Sequence, residues 1–337
     1  MTSRMDEKLA RIRKDPTGSD DFLICDAADP DMGGGVPAMG PKAGSEGRFR
    51  SRAEFLAMVK ALVAQDVVDL MLTSVSNLEL LQREGAFEGS RVGTAVRAND
   101  TTDIWNVRHG TYAATASRPF RTATVPHMMY GRSDVRKGTP ATLTDLGLYS
   151  VTFVNDADRD REALEAYRQF RIEAEEWGFR HFLEVFNPNV GSDRLSRAEV
   201  GAFVNDSIAH ALAGVPLAAR PQFLKIAYNG PKALEELVAY DPSLIVGILG
   251  GSAGTTRDTF ELLLATKRYG GRLVLFGRKI NLAEDPLALV ALMRRVVDGE
   301  ATPAEAVKAY HGALQKAGIA PKRSLEQDLE ITEEVLR

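Results

Sequence analysis

Short apolar runs alternate with amphipathic stretches along most of the chain, and this alternation restricts the folds that the chain can adopt. Each run has the length and the content of β-branched and aromatic residues that are typical of a strand. The runs are residues 22–26, 67–72, 91–97, 148–154, 181–186, 223–227, 244–249 and 273–276. A helical pattern follows every run except the third, which predicts βαβ units in a parallel sheet. Eight such strands predict an α/β fold that closes into a (β/α)8 barrel, the TIM barrel.

The main alternative to a closed barrel is an open, doubly wound sheet. That fold predicts a glycine fingerprint at the start of its first helix and an acidic residue at the end of its second strand. Here Gly33, Gly34 and Gly35 follow an acidic loop instead of opening a helix. The pattern therefore favours the barrel.

The length of 337 residues fits a single barrel domain with additions, since such barrels have about 250 residues. Residues 32–47 are too polar and broken for regular structure and predict a mobile active-site loop. Residues 99–144 have little periodicity and many arginines, which predicts a long insertion after the third strand that packs over the active-site face. A solvated basic insertion is the alternative. Extra helices are predicted at both ends, over residues 5–14 and within a C-terminal extension, residues 301–337.

The composition excludes several classes of function. The formal charge of −4 gives no basic surface, so neither nucleic acid nor a membrane is an expected partner. The single cysteine cannot form an intramolecular disulfide, and no apolar run is long enough to cross a bilayer. The first residues lack the apolar core of a secretion signal, which predicts a cytoplasmic protein. The five histidines show no pair at metal-binding spacing, so we expect no metal and no cofactor.

One lysine, Lys225, lies in the middle of the apolar sixth run. A buried ammonium is costly, and burial lowers the pKa of a lysine side chain until it is a neutral amine. A neutral amine attacks carbonyl carbons and forms a Schiff base. The alternative is an edge-strand lysine that points into water.

Other strands of the predicted barrel also end in polar residues, and in a barrel these ends meet at the active-site face. The first strand ends in Asp26, and the third leads into Arg97 and Asn99. The fifth strand holds Glu184 in an apolar sequence, beside the strand of Lys225. These two side chains are expected to pair and to exchange protons during carbonyl chemistry. A purely structural buried pair is the alternative, although it would add little net stability.

Glycine-rich loops follow the last two strands. Gly250, Gly251 and Ser252 come after the seventh strand, and Gly277 and Arg278 come after the eighth. Backbone N–H groups in such loops can point at an anion, and barrels commonly bind phosphate at these two loops. The two loops together predict a phosphate site.

These residues resemble the class I aldolases of the archaeal-type fructose-bisphosphate aldolase, deoxyribose-phosphate aldolase and tagatose-bisphosphate aldolase group. The resemblance spans most of residues 20–300 in strand order, and Leu-Lys-Ile-Ala-Tyr-Asn-Gly, Gly-Gly-Ser and Phe-Gly-Arg carry it. It implies that Lys225 forms the Schiff base, that Glu184 transfers protons and that Asp26 matches the acidic end of the first strand. It also implies phosphate binding by Gly251, Ser252, Gly277 and Arg278.

Two features depart from this group. The second lysine that the group often carries on its fourth or seventh strand is absent, so burial or Arg97 would have to favour the neutral amine at the sixth strand. The arginine-rich insertion is longer than the group's loop, and its cations suit a second phosphate, a carboxylate or a sulfonate. Arg97 and Asn99 are therefore also expected to bind substrate.

Together, the residues and the resemblance predict a lyase that cleaves or forms a phosphorylated ketose through a lysine Schiff base. Its partner is a small phosphorylated sugar, and a homo-oligomer is expected because barrels with exposed outer helices commonly associate. Two alternatives remain open. One is a Schiff-base transferase of the thiolase or transaldolase kind that acts on a phosphosugar, and the other is a non-catalytic barrel that binds a phosphosugar.

Overall fold

Eight parallel strands close into a barrel in chain order, and the last strand is hydrogen-bonded to the first. The computed structural model describes residues 2–42, 45, 47–99, 106–191 and 194–337. The strands are β1 (Leu23–Ala28), β2 (Leu70–Thr73), β3 (Gly93–Arg97), β4 (Leu146–Thr152), β5 (Arg180–Phe186), β6 (Leu224–Ile226), β7 (Val246–Leu249) and β8 (Leu273–Phe276). The (β/α)8 barrel that the sequence predicts is confirmed.

Helices connect the strands and surround the barrel. They are α1 (Arg4–Lys14), α2 (Pro30–Gly33), α3 (Arg52–Gln65), α4 (Val75–Arg83), α5 (Val125–Tyr130), α6 (Ala157–Trp177), α7 (Arg197–Ala213), α8 (Pro231–Tyr240), α9 (Thr256–Arg268), α10 (Arg278–Asn281), α11 (Pro286–Val297), α12 (Pro303–Ala317) and α13 (Leu325–Asp328). A capping box starts α3, where Ser51 and Glu54 each bind the backbone N–H of the other. Ser196 and Glu199 do the same at α7. Because these boxes satisfy N–H groups that a first helical turn leaves unpaired, the local sequence fixes where the helices begin.

Side chains along each strand alternate between the inside of the barrel and the surrounding helices. The inward-facing apolar residues form a cluster of their own, in which the rings of Phe182 and Phe223 stack with centroids 4.4 Å apart. Met5, Leu9 and Ile12 of α1 belong to the same cluster. The first helix therefore closes the N-terminal end of the barrel, and the opposite end is left for polar residues.

Short helical segments lie where the sequence pattern predicts none. α2 and a 3-10 turn at Val36–Met39 lie in the loop after β1, so the prediction that this loop lacks regular structure is wrong. α5 lies in the insertion between β3 and β4, and α10 directly follows β8. Segments of four to six residues are too short for periodicity to reveal. Residues 100–105 of the insertion, and 43, 44 and 46 of the loop after β1, lie outside the described residues.

The C-terminal part of the chain packs outside the barrel. α12 lies against α9 and α11. After α13 the chain returns to the first turn of α9, where Thr332 and Glu333 contact Asp258. Within the ranges that the structure describes, no helix combines the length and the apolar character needed to span a bilayer.

Candidate active site

A cavity of about 630 Å³ opens at the carboxyl ends of the strands, the face where barrels of this kind place their active sites. Residues of β5 and β6 line it, together with the loops after β7 and β8. Further lining comes from the loop after β1 and from the insertion between β3 and β4. The residues singled out in the sequence that line this cavity are Lys225, Glu184, Arg97, Gly250, Gly251, Gly277 and Arg278.

Lys225 lies in the middle of β6 and is 5% exposed. Strand pairing places it directly beside Glu184 of β5. Lys225 Nζ lies 2.6 Å from Glu184 Oε1, which is a short charge-assisted contact. The contact explains how an ammonium can lie among apolar strands, because leaving a buried charge without its partner is strongly destabilising.

The other carboxylate oxygen of Glu184 is also held. Glu184 Oε2 accepts hydrogen bonds from Ser150 Oγ at 2.7 Å and from Arg97 Nη2 at 3.2 Å. Arg97 also pairs with Asp29, whose Oδ2 lies 2.8 Å from Arg97 Nη1. Two carboxylates and two cations thus alternate in a buried row that runs Asp29, Arg97, Glu184, Lys225. The row fixes the carboxylate of Glu184 against the lysine.

Arg97 therefore contacts the partner of Lys225, although the sequence suggested that it binds the substrate or acts on the lysine directly. Asp29 is the first member of the row and Ser150 donates to Glu184 within it, and sequence reasoning assigned a role to neither. Ser150 is the residue of β4 that pairs with Glu184 of β5, so the register between these two strands identifies it. Asp29 follows the end of β1, and its position just beyond a strand end is the corresponding signal.

The structure does not bring Asp26 to this cavity. Its neighbours Cys25 and Ala27 belong to the inner cluster of the barrel, so Asp26 faces the helices instead. Asp26 is completely buried there. Burial raises the pKa of its carboxyl group well above the usual value, and the charge of Asp29 adds to this. The acidic side chain that reaches the cavity from this part of the chain is Asp29.

Asn99 is likewise absent from the cavity lining, and its side chain binds the backbone of the neighbouring strand. Asn99 Nδ2 donates to the carbonyl oxygen of Ser150 at 3.0 Å, and Asn99 Oδ1 accepts from the Ser150 N–H at 2.6 Å. The amide thus extends the pairing of β3 with β4 beyond Arg97, the last residue of β3. In this structure the side chain holds the backbone of Ser150 and does not line the cavity.

The loops after β7 and β8 approach each other at one side of the cavity. Within the described parts of the chain, the backbone N–H groups of Gly251, Ser252, Gly277 and Arg278 make no hydrogen bond. The Arg278 side chain is exposed, and no carboxylate of those parts pairs with it. Gly251 has a φ of +63°, and a Cβ at Gly277 would lie 3.0 Å from the carbonyl oxygen of Ala27. Ser252 follows the glycines but does not line the cavity.

The loop after β1 and the insertion meet over the cavity. Asn106 Nδ2 donates to the carbonyl oxygen of Gly33 at 2.6 Å. The guanidinium of Arg108 lies over the ring of Phe49, with its carbon 6.0 Å from the ring centroid. Asn106 and Arg108 both line the cavity, so residues of the insertion contribute to the site.

The chemistry available at this site comes from side chains and backbone groups. In the part of the chain that the structure describes, no group of three or more His, Cys, Asp or Glu side chains could hold a metal ion. What the cavity offers is an amine next to a carboxylate, an ordered Arg97, and open N–H groups beside Arg278. This set fits a reaction at a carbonyl carbon of an anionic compound.

The fold and this site define a (β/α)8 barrel with a buried lysine at the C-terminal end of its strands. Solved structures with the same fold include fructose-bisphosphate aldolases. A crystal structure of an archaeal fructose 1,6-bisphosphate aldolase matches 88% of this chain and 100% of its own, with a TM-score of 0.60 and 16% identity. Another, an archaeal fructose-1,6-bisphosphate aldolase with its catalytic lysine covalently bound to the carbinolamine intermediate, matches 87% and 99%, with a TM-score of 0.59 and 16% identity.

The fructose-bisphosphate aldolase from Slackia heliotrinireducens matches 92% of this chain and 91% of its own, with a TM-score of 0.61 and 15% identity. No protein-family model matches the chain, and neither does any curated protein. The resemblance that the sequence predicts is thus confirmed as a likeness of fold to these aldolases.

Proposed function

We propose that this protein is a class I aldolase that cleaves or forms a phosphorylated ketose through a Schiff base on Lys225. The observation that carries the proposal is the contact of Lys225 Nζ with Glu184 Oε1 at 2.6 Å, inside a cavity at the catalytic face of the barrel. A buried amine with a proton acceptor in contact is the arrangement that imine formation requires. The likeness of fold to aldolases that carry a catalytic lysine supports the same reading.

The first step of this mechanism joins the lysine to the substrate. Lys225 gives a proton to Glu184, and the neutral nitrogen attacks the ketone carbon. A proton moves from nitrogen to oxygen, and Glu184 then returns its proton to the resulting hydroxyl group, which leaves as water. The positive charge of the ammonium has now passed to the iminium, and Glu184 is again a carboxylate.

The second step breaks the carbon–carbon bond. Glu184 removes the proton of the substrate hydroxyl that becomes the aldehyde oxygen. The electron pair of the breaking bond moves into the iminium, which becomes an enamine, and the aldehyde leaves. The iminium is the electron sink, so the step needs no metal ion in that role. Arg97 and Ser150 hold Glu184 in one orientation throughout.

The loops after β7 and β8 would bind the phosphate of the ketose. The open N–H groups of Gly251 and Gly277, together with Arg278, suit a phosphate group because backbone donors and a guanidinium both bind its oxygens. Phosphate bound there would hold the substrate carbonyl near Lys225, whose strand adjoins β7.

Borohydride reduction in the presence of dihydroxyacetone phosphate tests this proposal, because it converts an imine into a permanent amine. Peptide mass analysis is expected to find the adduct on Lys225 and none on Lys279, a second buried lysine near the cavity. The Lys225→Met variant should give no adduct. If no phosphorylated ketose of a broad panel modifies Lys225, the aldolase proposal fails. A non-catalytic phosphosugar-binding barrel then becomes the better reading.

A further inference from the structure

The last ten residues of the chain, the C-terminal segment (residues 328–337), pack against the region between β7 and α9. Asp258, in the first turn of α9, accepts three hydrogen bonds from this segment. The donors are Thr332 N at 2.8 Å, Thr332 Oγ1 at 2.5 Å and Glu333 N at 3.1 Å. Asp258 is completely buried. Burial alone would raise the pKa of this carboxyl group, but these hydrogen bonds and one from Thr255 lower it overall.

Two more hydrogen bonds join the same two parts of the chain. Thr255 Oγ1 donates to the carbonyl oxygen of Glu330 at 2.8 Å, and the N–H of Thr256 donates to Asp328 Oδ1 at 2.8 Å. Residues 250–254 come immediately before these contacts and belong to no strand or helix. The end of the loop after β7 is therefore fixed by the C-terminal segment.

A buried lysine connects the segment to the loop after β8 as well. The side chain of Lys279 is 0% exposed, and its Nζ lies 2.7 Å from Glu333 Oε1. The same Nζ lies 3.5 Å from the carbonyl oxygen of Ala253. Lys279 follows Arg278 in the chain, and Ala253 follows Ser252, so one ion pair touches both loops of the proposed phosphate site.

The loop after β7 has little else to hold its shape. Gly251 and Gly254 have φ angles of +63° and +61°, a region that glycine enters freely, so the backbone itself does not enforce the conformation. The N–H groups of Gly251 and Ser252 are not used in any hydrogen bond with the rest of the described chain. Contacts from outside this loop must therefore hold it in one conformation.

We propose that the C-terminal segment positions the phosphate-binding loops, with the Lys279–Glu333 ion pair as its key contact. This inference rests on the phosphate site of the proposed function. It says that the affinity of that site for phosphate depends on residues that do not line the cavity. Because coupling between two sites is reciprocal, phosphate in the cavity must also stabilise the C-terminal segment on the barrel. The segment thus selects for phosphorylated over free sugars without touching either.

A double variant tests the positioning role without changing the net charge. In Lys279→Met with Glu333→Leu, the ion pair is replaced by apolar side chains of similar size. We expect the dissociation constant of inorganic phosphate, measured by calorimetry, to rise about tenfold, within the usual range of coupling between sites. With a phosphorylated ketose that the wild type turns over, the KM of the double variant should rise by a similar factor, while its kcat changes less.

The matched control is Arg197→Met with Glu334→Leu. This variant removes the neighbouring ion pair, of 2.6 Å, which joins the same segment to α7 instead of to the two loops. Its phosphate affinity should stay within twofold of the wild-type value. Unchanged affinity in the Lys279 and Glu333 variant would overturn the proposal, and so would an equal loss of affinity in both variants.

Hydrogen exchange on the unmodified protein gives an independent test if the double variant does not fold. Inorganic phosphate should slow exchange of the N–H groups of Thr332 and Glu333, although neither residue lines the cavity. No change at saturating phosphate, or no phosphate binding at all, would overturn the proposal. Phosphate calorimetry and hydrogen exchange need neither turnover nor an adduct on Lys225. The aldolase proposal can therefore fail while the positioning proposal stands, and the positioning proposal can fail while the aldolase proposal stands.

Discussion

Glu184 is the residue through which protons are expected to reach and leave Lys225. Its Oε1 contacts the lysine, and its Oε2 is held by Ser150 and Arg97. Glu184→Gln keeps the shape but removes the proton acceptor, so kcat for the phosphorylated ketose should fall by about 10²–10⁴ while KM changes little. Steady-state kinetics on the purified variant measure both constants.

The Ser150→Ala variant is the control for this prediction. It removes one hydrogen bond to Glu184 and leaves the carboxylate and its contact with Lys225 in place, so a much smaller loss of kcat is expected. If Glu184→Gln retains wild-type kcat, or loses no more activity than Ser150→Ala, then proton transfer belongs to another group. Asp29, which also lines the cavity, would be the next residue to examine.

His181, which does not line the active-site cavity, makes the stability of the protein depend on pH. Its Nε2 lies 2.8 Å from the hydroxyl of Tyr167, and burial lowers the pKa of the imidazole to about 3. The unfolded chain has the usual value of 6.5, so it binds more protons than the folded chain between these two pH values. The free energy of unfolding must then fall as the pH drops below 6.5, by up to about 1.4 kcal/mol per pH unit.

Chemical denaturation at pH values from 4 to 7 measures this slope. Carboxylates also titrate at the acidic end, so the informative quantity is the difference between the wild type and His181→Gln, which has no group to protonate at this position. The wild type should lose stability more steeply on acidification. Equal slopes in the two proteins would show that the imidazole is not kept neutral by burial.

At the scale of elements, the ends of β1 and β8 can approach each other closely because Gly277 has no side chain. A Cβ at Gly277 would lie 3.0 Å from the backbone oxygen of Ala27, which cannot move without shifting β1. Gly277→Ala should therefore displace the loop after β8 and weaken phosphate binding by about tenfold, which corresponds to about 1.4 kcal/mol. Calorimetry with inorganic phosphate checks the value.

Gly33→Ala is the matched control, because Gly33 lines the same cavity and a Cβ there meets nothing within 4 Å. Its phosphate affinity should match that of the wild type. Similar losses in both variants would mean that any added methyl group disturbs the cavity, and the close approach of Gly277 to β1 would then not be the cause.

Strands and helices could be predicted from the sequence where a short stretch of residues carries the pattern that identifies them. All eight strands show as apolar runs, and a capping box of Ser51 and Glu54 marks the start of α3 in the local sequence. Lys225 and Glu184 stand out because each is a charged residue inside an apolar run. Short helices such as α5 carry no period long enough to detect.

Residues whose role depends on tertiary geometry could not be predicted in the same way. The choice between Asp26 and Asp29 depends on the phase of the alternation in β1, since the strand continues to Ala28 and turns Asp26 outward. The position of Asn99 after a strand end suggests a substrate-binding residue. Its side-chain amide instead makes two hydrogen bonds to the backbone of Ser150 in the neighbouring strand. The backbone register decides both cases, and the register is set by the closure of the whole barrel.

At the scale of the whole molecule, a network at the N-terminal end of the barrel ties distant segments together. The carboxylate of Asp69 has no exposed surface and lies 2.8 Å from Arg4 Nε, 2.9 Å from Lys8 Nζ and 2.9 Å from Arg294 Nη2. It also accepts the N–H of Ile24 in β1 at 2.8 Å. One side chain thus joins α1, β1 and α11 at the end of the barrel that is opposite the cavity.

Replacing Asp69 by Asn should therefore reduce stability and leave the site intact. The change leaves three cations around a neutral group, and removal of one partner of a buried ionic network costs about 3–5 kcal/mol. Denaturant titration should show this loss, while phosphate affinity and the yield of the Lys225 adduct at 25 °C stay within twofold of the wild type. Asp298→Asn is the control, since the side chain of Asp298 is more exposed and its carboxylate lies 3.6 Å from the same Arg294. A folded Asp69→Asn protein with weakened phosphate binding would show that the two ends of the barrel are coupled, contrary to the separation of stability and function that this architecture predicts.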